Sequence, residues 1–250
     1  IGKLLQKIAD LGIEENTIII FMTDNGPQQL RYTAGMRDKK GSVYNGGTRD
    51  PFFLKYPALS KESKVIETMS AHFDVLPTLS ELCHVDLPKD RKIDGKSLVP
   101  LIKGKKVDWS DRAMFSYWTR KYPELYNSMA IQKAEYKLVG QTNYNASIED
   151  FELYHLKNDP GELHNIVKEN KAIALKLKAE LDLIYQDLIR SKNLINPPKI
   201  IVGTKKENPL TLNRNDADGS RGLWDQEAIF GKWNVNILKG RYNFRFKFIN

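Results

Sequence analysis

The feature that most constrains this chain is an unbroken apolar and β-branched run at residues 17–23. It reads TIIIFMT, and Asp24, Asn25, Gly26 and Pro27 follow it directly. A continuous run of this kind predicts a strand that is buried on both faces, as in a parallel sheet covered by helices. In open α/β sheets, ligands gather beyond the carboxyl ends of the strands. We therefore expect the polar residues after the run to lie at a functional site.

An amphipathic helical pattern precedes this strand. Its apolar residues recur at helical spacing, at Ile1, Leu4, Leu5, Ile8 and Leu11. Gly12 fits the left-handed position that closes many helices. A helix, a short turn and a buried strand make half of an α/β unit, so we expect α/β structure here. Because no N-cap precedes the pattern, we also expect the sequence to be the later part of a longer protein.

A long loop and several short elements come next. Residues 28–50 show no clean period and contain four glycines, which predicts a long ordered loop. Long loops in compact domains are usually functional or disordered. The short elements are a strand at Phe52–Tyr56, a helix at Asp74–Cys83 and a helical turn at Leu98–Leu101. Asp74 is a suitable N-cap for its helix.

The pattern changes to an α+β type after residue 106. Short strands are predicted at Ala113–Trp118, Met129–Gln132, Tyr136–Val139 and Phe151–Leu156, the middle two forming a hairpin. One face of a long amphipathic helix is then marked by Ile173, Leu177, Leu181, Ile184 and Leu188. We divide the chain into an α/β part at 1–106, an α+β subdomain at 107–192 and a C-terminal segment at 193–250.

The C-terminal segment is predicted to contain a linker and a β-hairpin. Residues 193–206 include two consecutive prolines and are typical of a linker. Apolar and polar residues alternate over Trp233–Ile237 and Tyr242–Phe248, with Gly240 between the two runs. An isolated hairpin is marginally stable, so we expect this one to pack against other structure.

The chain is basic, with a formal net charge of +8. Such a balance suits nucleic acids, sulfated glycans or a membrane surface. No nucleic-acid recognition motif is present, so we expect no nucleic-acid partner. The longest apolar run has five residues, whereas a membrane-spanning helix needs about 20. The only cysteine, Cys83, excludes an internal disulfide and a Cys-based zinc site, and we expect it to be buried in the core.

Asp24 and Asn25 allow two interpretations when they are taken alone. Carboxylate and amide oxygens at a strand end suit a hard cation such as calcium, which takes about 6–8 oxygen ligands. The same residues suit an ordinary turn, which is the preferred interpretation of the dipeptide by itself.

The surrounding motifs change that preference. The strand is followed by Thr23-Asp24-Asn25-Gly26, then by Lys40-Gly41-Ser42 and Tyr44-Asn45-Gly46-Gly47-Thr48-Arg49-Asp50-Pro51. Further motifs are Asp74-Val75-Leu76-Pro77-Thr78-Leu79, Asp94-Gly95-Lys96-Ser97-Leu98 and Glu152-Leu153-Tyr154-His155-Leu156, which continues to Asp159-Pro160-Gly161-Glu162. In this order they resemble the sulfatase family of the alkaline-phosphatase-like superfamily. The resemblance covers roughly residues 1–165.

The resemblance implies a fold, cofactors and site residues. The fold is the later part of an alkaline-phosphatase-like parallel-sheet sandwich, followed by a small α+β subdomain. Asp24 and Asn25 match two calcium ligands, and Lys40 matches the lysine that contacts the sulfate group. Lys39 is the alternative register for that lysine. Arg49 matches an arginine that we expect to fix the loop rather than to take part in catalysis.

The sequence also departs from the family pattern. Asn45, Asp50 and His155 stand where the family has Glu, an apolar residue and Asp. The family's nucleophile is a formylglycine made from C-x-P-x-R or S-x-P-x-R, and these 250 residues contain neither pattern. We therefore expect a formylglycine upstream and an inactive isolated chain, because covalent catalysis requires its nucleophile.

Several functional interpretations stay open at this point. The leading one is a fragment of a sulfatase for sulfated small molecules or glycans, periplasmic or secreted as the family implies. The alternatives are a phosphatase or phosphodiesterase of the same superfamily and a non-catalytic fragment that binds anionic glycans. Trp118, Arg120 and Lys121 are candidates for a substrate entrance, but a strand end with solvated charges is the preferred interpretation. The C-terminal segment resembles an appended β-module, in which Trp224 and Trp233 either contact a glycan or pack in a sheet. Oligomeric state is not indicated by the sequence.

Overall fold

The computed structural model describes residues 1–119, 122–213, 216–219 and 231–247. The chain forms two compact units, residues 1–188 and residues 189–250. The further division at residue 106 stays a prediction. Arg120, Lys121, Trp224 and Phe248 lie outside the described residues.

The first unit follows the predicted order of elements, with a short helix added inside the long loop. Its helices are α1 (Gly2–Asp10), α2 (Asn45–Thr48), α3 (Val75–Leu82), α4 (Val99–Ile102) and α5 (Lys171–Leu188). Its strands are β1 (Ile19–Met22), β2 (Phe52–Lys55), β3 (Ala113–Tyr117), β4 (Met129–Lys133), β5 (Tyr136–Gly140) and β6 (Glu152–His155). Gly12 follows α1 with a φ of +66°, which confirms its predicted left-handed conformation.

A four-stranded antiparallel sheet in the order β3-β4-β5-β6 forms the core of the first unit. The predicted β4–β5 hairpin is confirmed. Ile131, Leu138 and Leu153 lie opposite one another on neighbouring strands and are fully buried. Helix α5 packs against β4 and β5. Its buried residues are Ala174, Leu177, Leu181 and Tyr185, so the buried face is displaced slightly from the predicted one.

The opposite face of this sheet is covered by the long loop. Side chains alternate between the faces of a strand, so Ala130, Val139 and Tyr154 share the face that α5 does not cover. They form a buried cluster with Val43 and Tyr44 of the loop. The sheet is therefore enclosed between a helix and a loop, and the loop has a fixed surface on which to fold.

Strand β1 forms where the sequence predicts a strand, but its surroundings differ from the prediction. It pairs antiparallel with β2, with Ile19 opposite Lys55 and Met22 opposite Phe52. Phe21 and Met22 are exposed. The prediction of a parallel strand buried on both faces is therefore wrong among the described residues. An apolar run reports a preference for burial, but it contains no information on the direction of the neighbouring strand.

The start of α3 is tied to the segment around Gly95. The Asp74 carboxylate is fully buried, and it accepts hydrogen bonds from the backbone N–H groups of Ala71 and Lys96, both at 2.8 Å. It also pairs with the buried Arg112 guanidinium. Asp74 makes no side-chain bond to α3 itself. Asp74 therefore occupies the predicted N-cap position, but its carboxylate joins three other segments of the chain instead of capping the helix.

The second unit contains α6 (Lys192–Ile195), β7 (Ile200–Val202), β8 (Asp218–Gly219), β9 (Gly231–Lys232) and β10 (Val235–Ile237). Strand β7 lies within the predicted linker and pairs parallel with β10. The predicted hairpin is wrong for the described residues, since no strand forms over residues 241–247. The β-branched residues of β7 give β10 a partner, whereas Phe244 and Phe246 stay exposed.

Two further expectations concern burial and membranes. Cys83 is exposed, so its predicted core position is wrong. It lies at the C-terminal end of α3, where no described element covers it. Within the described ranges, no helix combines the length and the hydropathy that a membrane crossing requires.

We predict that Asp74→Ala destabilises the protein by about 3–5 kcal/mol, because the substitution leaves the Arg112 charge buried without its partner. The measurement is the free energy of unfolding in urea, followed by circular dichroism. Asp90→Ala is the matched control, because Asp90 forms an exposed ion pair with Arg91. Equal stability of the two variants would contradict the structural role of Asp74.

Candidate functional site

The predicted calcium ligands lie at the end of β1. The amide of Asn25 donates a hydrogen bond of 2.5 Å to the carboxylate of Asp24, which is exposed. The preceding residue, Thr23, is held on two sides. Its hydroxyl donates to the Asp50 carboxylate at 3.1 Å, and its carbonyl lies 2.6 Å from Nε2 of His72. The end of the strand is therefore fixed, while the Asp24 carboxylate faces solvent.

The loop after this turn folds back on itself through backbone hydrogen bonds. We call residues 26–47 the glycine loop. Gly26 N–H donates to Gly47 O at 3.1 Å, which closes the loop at its two ends. Lys40 N–H donates to Pro27 O at 3.0 Å, and Gly46 N–H donates to Arg37 O at 2.7 Å. These bonds bring the backbone of Lys40 beside the turn that contains Asp24 and Asn25.

Three glycines allow the backbone segments of the loop to approach one another. A Cβ on Gly26 would lie 1.8 Å from Gly46 O, and one on Gly46 would lie 2.1 Å from Asp38 O. A Cβ on Gly47 would lie 2.4 Å from Ser42 O. No side chain fits at these distances from backbone atoms. Packing therefore requires glycine at positions 26, 46 and 47.

Arg37 fastens the glycine loop to the sheet. Its guanidinium carbon lies 3.9 Å from the centroid of the Tyr44 ring. Nη1 donates to the Tyr154 hydroxyl at 2.5 Å and to Glu152 Oε2 at 3.2 Å, on strand β6. The hydroxyls of Tyr44 and Tyr154 both donate to the same Glu152 oxygen, at 2.5 and 2.6 Å.

This arrangement raises the pKa of the two tyrosines. Burial contributes most to the raised pKa of Tyr44 and of Tyr154, followed by the hydrogen bond to Glu152 and its negative charge. Burial acts to lower the pKa of Arg37, but Glu152 and the two tyrosines outweigh it and the net pKa is raised. The phenols therefore stay protonated and continue to donate to Glu152 above the pH at which a free tyrosine ionises.

A second buried contact holds the end of the glycine loop. Lys137 on β5 and Glu162 are both almost completely buried, and Nζ lies 2.7 Å from Oε1. The other Glu162 oxygen accepts the backbone N–H of Asn45 at 2.5 Å. The Asn45 side chain accepts a bond from Lys137 at 3.1 Å and donates to Pro160 O at 3.1 Å. Burial lowers the pKa of Lys137, and the charge of Glu162 opposes this shift.

The predicted ligands Asp24 and Asn25 lie beside the backbone of Lys40, the predicted sulfate contact. The oxygens of Asp24 and Asn25 have the donor chemistry that calcium prefers, but two side chains supply only part of its usual shell of about 6–8 ligands. Within the described ranges, no group of three or more His, Cys, Asp or Glu side chains is placed to hold a metal ion. A calcium ion here would therefore need further ligands.

The roles of Lys39 and Lys40 stay predictions. Lys40 is exposed and its backbone bonds to Pro27, whereas Lys39 is half-buried and its backbone N–H bonds to the Asp38 carboxylate at 2.9 Å. The expectation that Arg49 fixes the loop is wrong for the described residues. Its side chain is exposed and forms no hydrogen bond or ion pair with them. Arg37 instead fixes the loop, through its hydrogen bonds to β6.

The sequence alone indicates no role for Arg37 or Glu162. Arg37 lies close to Lys39 and Lys40 in a basic stretch, and Glu162 is the last residue of the last motif. Lys137 carried no signal, because a lysine in a short predicted strand is ordinarily solvated. The buried position of Lys137, on the sheet face toward the loop, can be inferred only once the register of β5 is known.

Comparison with known proteins identifies the family. Residues 34–207, more than half of the chain, match the family model described as N-sulphoglucosamine sulphohydrolase, C-terminal. The chain belongs to the sulfatase family. The resemblance inferred from the motifs is therefore confirmed.

Curated relatives include a sulfatase of Formosa agariphila, which is 32% identical over 183 residues, or 68% of this chain and 33% of that protein. Human arylsulfatase A is 31% identical over 189 residues, or 67% and 36%. An N-acetylglucosamine-6-O-sulfatase of Bacteroides thetaiotaomicron is 29% identical over 193 residues, or 75% and 32%. This sulfatase chain thus spans about a third of the length of these relatives.

Solved structures show the same fold. The crystal structure of Ps i-CgsB matches with a TM-score of 0.62 at 23% identity, covering 74% of this chain and 40% of that one. A complex with the substrate D-glucosamine-2-N,6-O-disulfate matches with a TM-score of 0.55 at 26% identity, covering 75% and 37%. The expected fold class, a partial alkaline-phosphatase-like α/β fold, is confirmed.

We predict that Arg37→Ala loosens the glycine loop, because the substitution removes the ring contact and the bonds to β6. Amide hydrogen exchange over residues 26–47, followed by mass spectrometry, should become faster by about tenfold, as expected for the loss of roughly 1.5 kcal/mol of charged hydrogen bonding. Arg49→Ala is the matched control and should leave this exchange unchanged. Faster exchange in the Arg49 variant alone would contradict the assignment.

We predict that Tyr44→Phe makes the protein less sensitive to alkaline pH. An unfolded tyrosine ionises near pH 10, whereas the buried phenol keeps its proton. Above pH 10 the folded state therefore binds more protons than the unfolded state, and the free energy of unfolding falls as the pH rises. Urea unfolding at several pH values between 9 and 11 should show a shallower fall in the variant. Tyr144→Phe, at an exposed position, is the control and should follow the parent protein.

Proposed function

We propose that this chain is the C-terminal part of the catalytic unit of a sulfatase that cleaves sulfate esters with formylglycine and calcium. Asp24 and Asn25 supply two calcium ligands, and Lys40 contacts the sulfate group. The observation that supports this most directly is the hydrogen bond from Lys40 N–H to Pro27 O, at 3.0 Å. It joins the lysine motif to the turn that contains both predicted ligands.

The residues of this chain act by orientation and charge. The Asp24 carboxylate is exposed at a fixed strand end, so it binds a cation without rearrangement of the backbone. The Lys40 ammonium stabilises negative charge that develops on the sulfate oxygens during bond cleavage. Bound calcium supplies further stabilisation of that charge. The backbone bonds of the glycine loop bring the segment that carries Lys40 beside the turn that carries Asp24.

The nucleophile is proposed to lie outside these 250 residues, which contain no formylglycine motif. Under this proposal the isolated chain does not hydrolyse aryl sulfates. The proposed location, periplasmic or secreted, follows the family resemblance alone.

The proposed substrates are sulfated carbohydrates. Relatives named as an N-acetylglucosamine-6-O-sulfatase and an N-acetylgalactosamine-6-O-sulfatase support this class, as does the solved complex with D-glucosamine-2-N,6-O-disulfate. The basic net charge of +8 also favours anionic ligands. Aryl sulfates serve as convenient probes of the same chemistry.

The first experiment is to read the coding DNA upstream of Ile1 and to express the complete open reading frame. A frame that contains C-x-P-x-R or S-x-P-x-R supports the proposal. A frame without either pattern overturns it and favours a non-catalytic fragment that binds anionic glycans.

The second experiment assays that product on 4-nitrophenyl sulfate and on N-acetylglucosamine 6-sulfate. Asp24→Ala and Lys40→Ala should each lower kcat by about 10²–10³-fold, as for the loss of one group that stabilises transition-state charge. Lys39→Ala is the matched control and should have little effect. A large loss in Lys39→Ala with none in Lys40→Ala would assign the role to the other register. Faster hydrolysis of 4-nitrophenyl phosphate than of the sulfate would favour the phosphatase alternative.

A further inference from the structure

Trp118 extends the ladder of strand β3 by one residue. Its backbone N–H donates to Ser128 O at 3.0 Å, directly after the pair formed by Tyr117 and Met129. Alternation along the strand therefore places its side chain on the opposite face from Tyr117. That face is the one that the glycine loop covers.

The indole of Trp118 lies beside Gly41 of the glycine loop, next to Lys40 in sequence. Its Cε2, Nε1 and Cζ2 atoms lie 3.5, 3.5 and 3.8 Å from the position that a Cβ would take on Gly41. Cε2 is bonded to both of the other atoms and lies further inside the ring system than they do. If the Cβ approached the edge of the ring, Cε2 would be the farthest of the three atoms. A Cβ on residue 41 would therefore lie over the face of the indole rather than at its edge.

The contact leaves much of Trp118 accessible and depends on a glycine. The residue is 44% exposed. Gly41 has a φ of +87°, a conformation that side chains of L-residues rarely adopt. The indole thus lies beside the glycine loop and keeps a large surface toward solvent.

We propose that Trp118 forms a binding platform for the sugar ring of the substrate, next to the lysine that contacts the sulfate. This inference rests on the proposed function, because it takes Lys40 as the sulfate contact. Consecutive Cα atoms are 3.8 Å apart, so Cε2 of Trp118 lies at most about 9 Å from the Cα of Lys40. A lysine side chain and a sulfated pyranose together span that separation.

The chemistry of the platform favours a pyranose over an apolar aryl group. The face of an aromatic ring carries partial negative charge, and the C–H bonds on one side of a pyranose carry partial positive charge. A sugar lying on the indole keeps its hydroxyl groups in water, which suits a half-exposed residue. Apolar ligands are instead favoured by concave pockets that bury most of their surface.

The test is a titration of the full 250-residue chain, followed by the ¹H–¹⁵N signals of the tryptophan indoles. The probes are N-acetylglucosamine 6-sulfate, N-acetylglucosamine and inorganic sulfate. The Trp118 signal is assigned by its loss in Trp118→Phe. We expect the sulfated sugar to shift this signal and to bind more tightly than the unsulfated sugar.

The variants separate the platform from the sulfate contact. Trp118→Ala should weaken binding of N-acetylglucosamine 6-sulfate by about 3- to 10-fold, in the range of aromatic contact energies. Trp118→Phe should retain most of the affinity because it keeps a ring. Tyr136→Ala is the control within the same sheet. Tyr136 lies level with Ala113, roughly 17 Å from Trp118 along the strands, and its substitution should leave binding unchanged.

The outcomes distinguish the two proposals. If Lys40→Ala abolishes the preference for the sulfated sugar while Trp118→Ala binds like the parent chain, the platform is overturned and the sulfate contact stands. If sulfated and unsulfated sugars bind equally and Trp118→Ala weakens both, the sulfate contact fails and the platform stands. Absence of any shift of the Trp118 signal with either sugar overturns the platform.

Discussion

Close approach between backbone segments is the constraint on which the candidate site depends. The chain from Gly26 to Gly47 doubles back so tightly that three positions have no room for a Cβ. That crowding brings a strand end and a lysine segment, which are about fifteen residues apart in sequence, to within one backbone hydrogen bond of each other. The proposed site needs the Asp24 carboxylate and the Lys40 ammonium near each other. Their proximity depends on this packing of the backbone.

Packing within the loop would not orient it, and the sheet supplies the orientation. Arg37 and Asn45 connect the glycine loop to β5, β6 and the segment after β6, through one partly exposed and one buried set of charges. Burying Lys137 with Glu162 is costly in desolvation, and such pairs often add little net stability compared with apolar residues. Their directional bonds, however, specify one position for the loop, which an apolar contact would not do. The buried pair therefore fixes the position of the loop at some cost in the stability of the protein.

Much of the first unit could be predicted from its sequence because its signals are local. The period of α5, the alternation in β3 to β6 and the glycine after α1 each report a preference of a few neighbouring residues. The errors arise where the outcome depends on distant partners. The direction of the strand beside β1, the partner of β10 and the destination of the Asp74 carboxylate are all set by segments far away in sequence. Motif resemblance predicts roles for Asp24, Asn25 and Lys40, and these stay predictions, whereas Arg37 and Lys137 acquire their contacts from a strand register that no motif contains.

Asn45 limits which residues of related sulfatases can replace those of this site. Its amide both accepts from Lys137 and donates to Pro160 O, so the buried group contains one positive and one negative charge and is neutral. A glutamate at position 45, which the motif resemblance implies for the family, would add a second carboxylate beside a single ammonium. Residues 45, 137 and 162 thus form one electrostatic unit whose members constrain each other's replacement. A loop transplanted from a relative with glutamate would require a compensating cation on the sheet, and chimeras of this family are better divided so that loop and sheet are exchanged together.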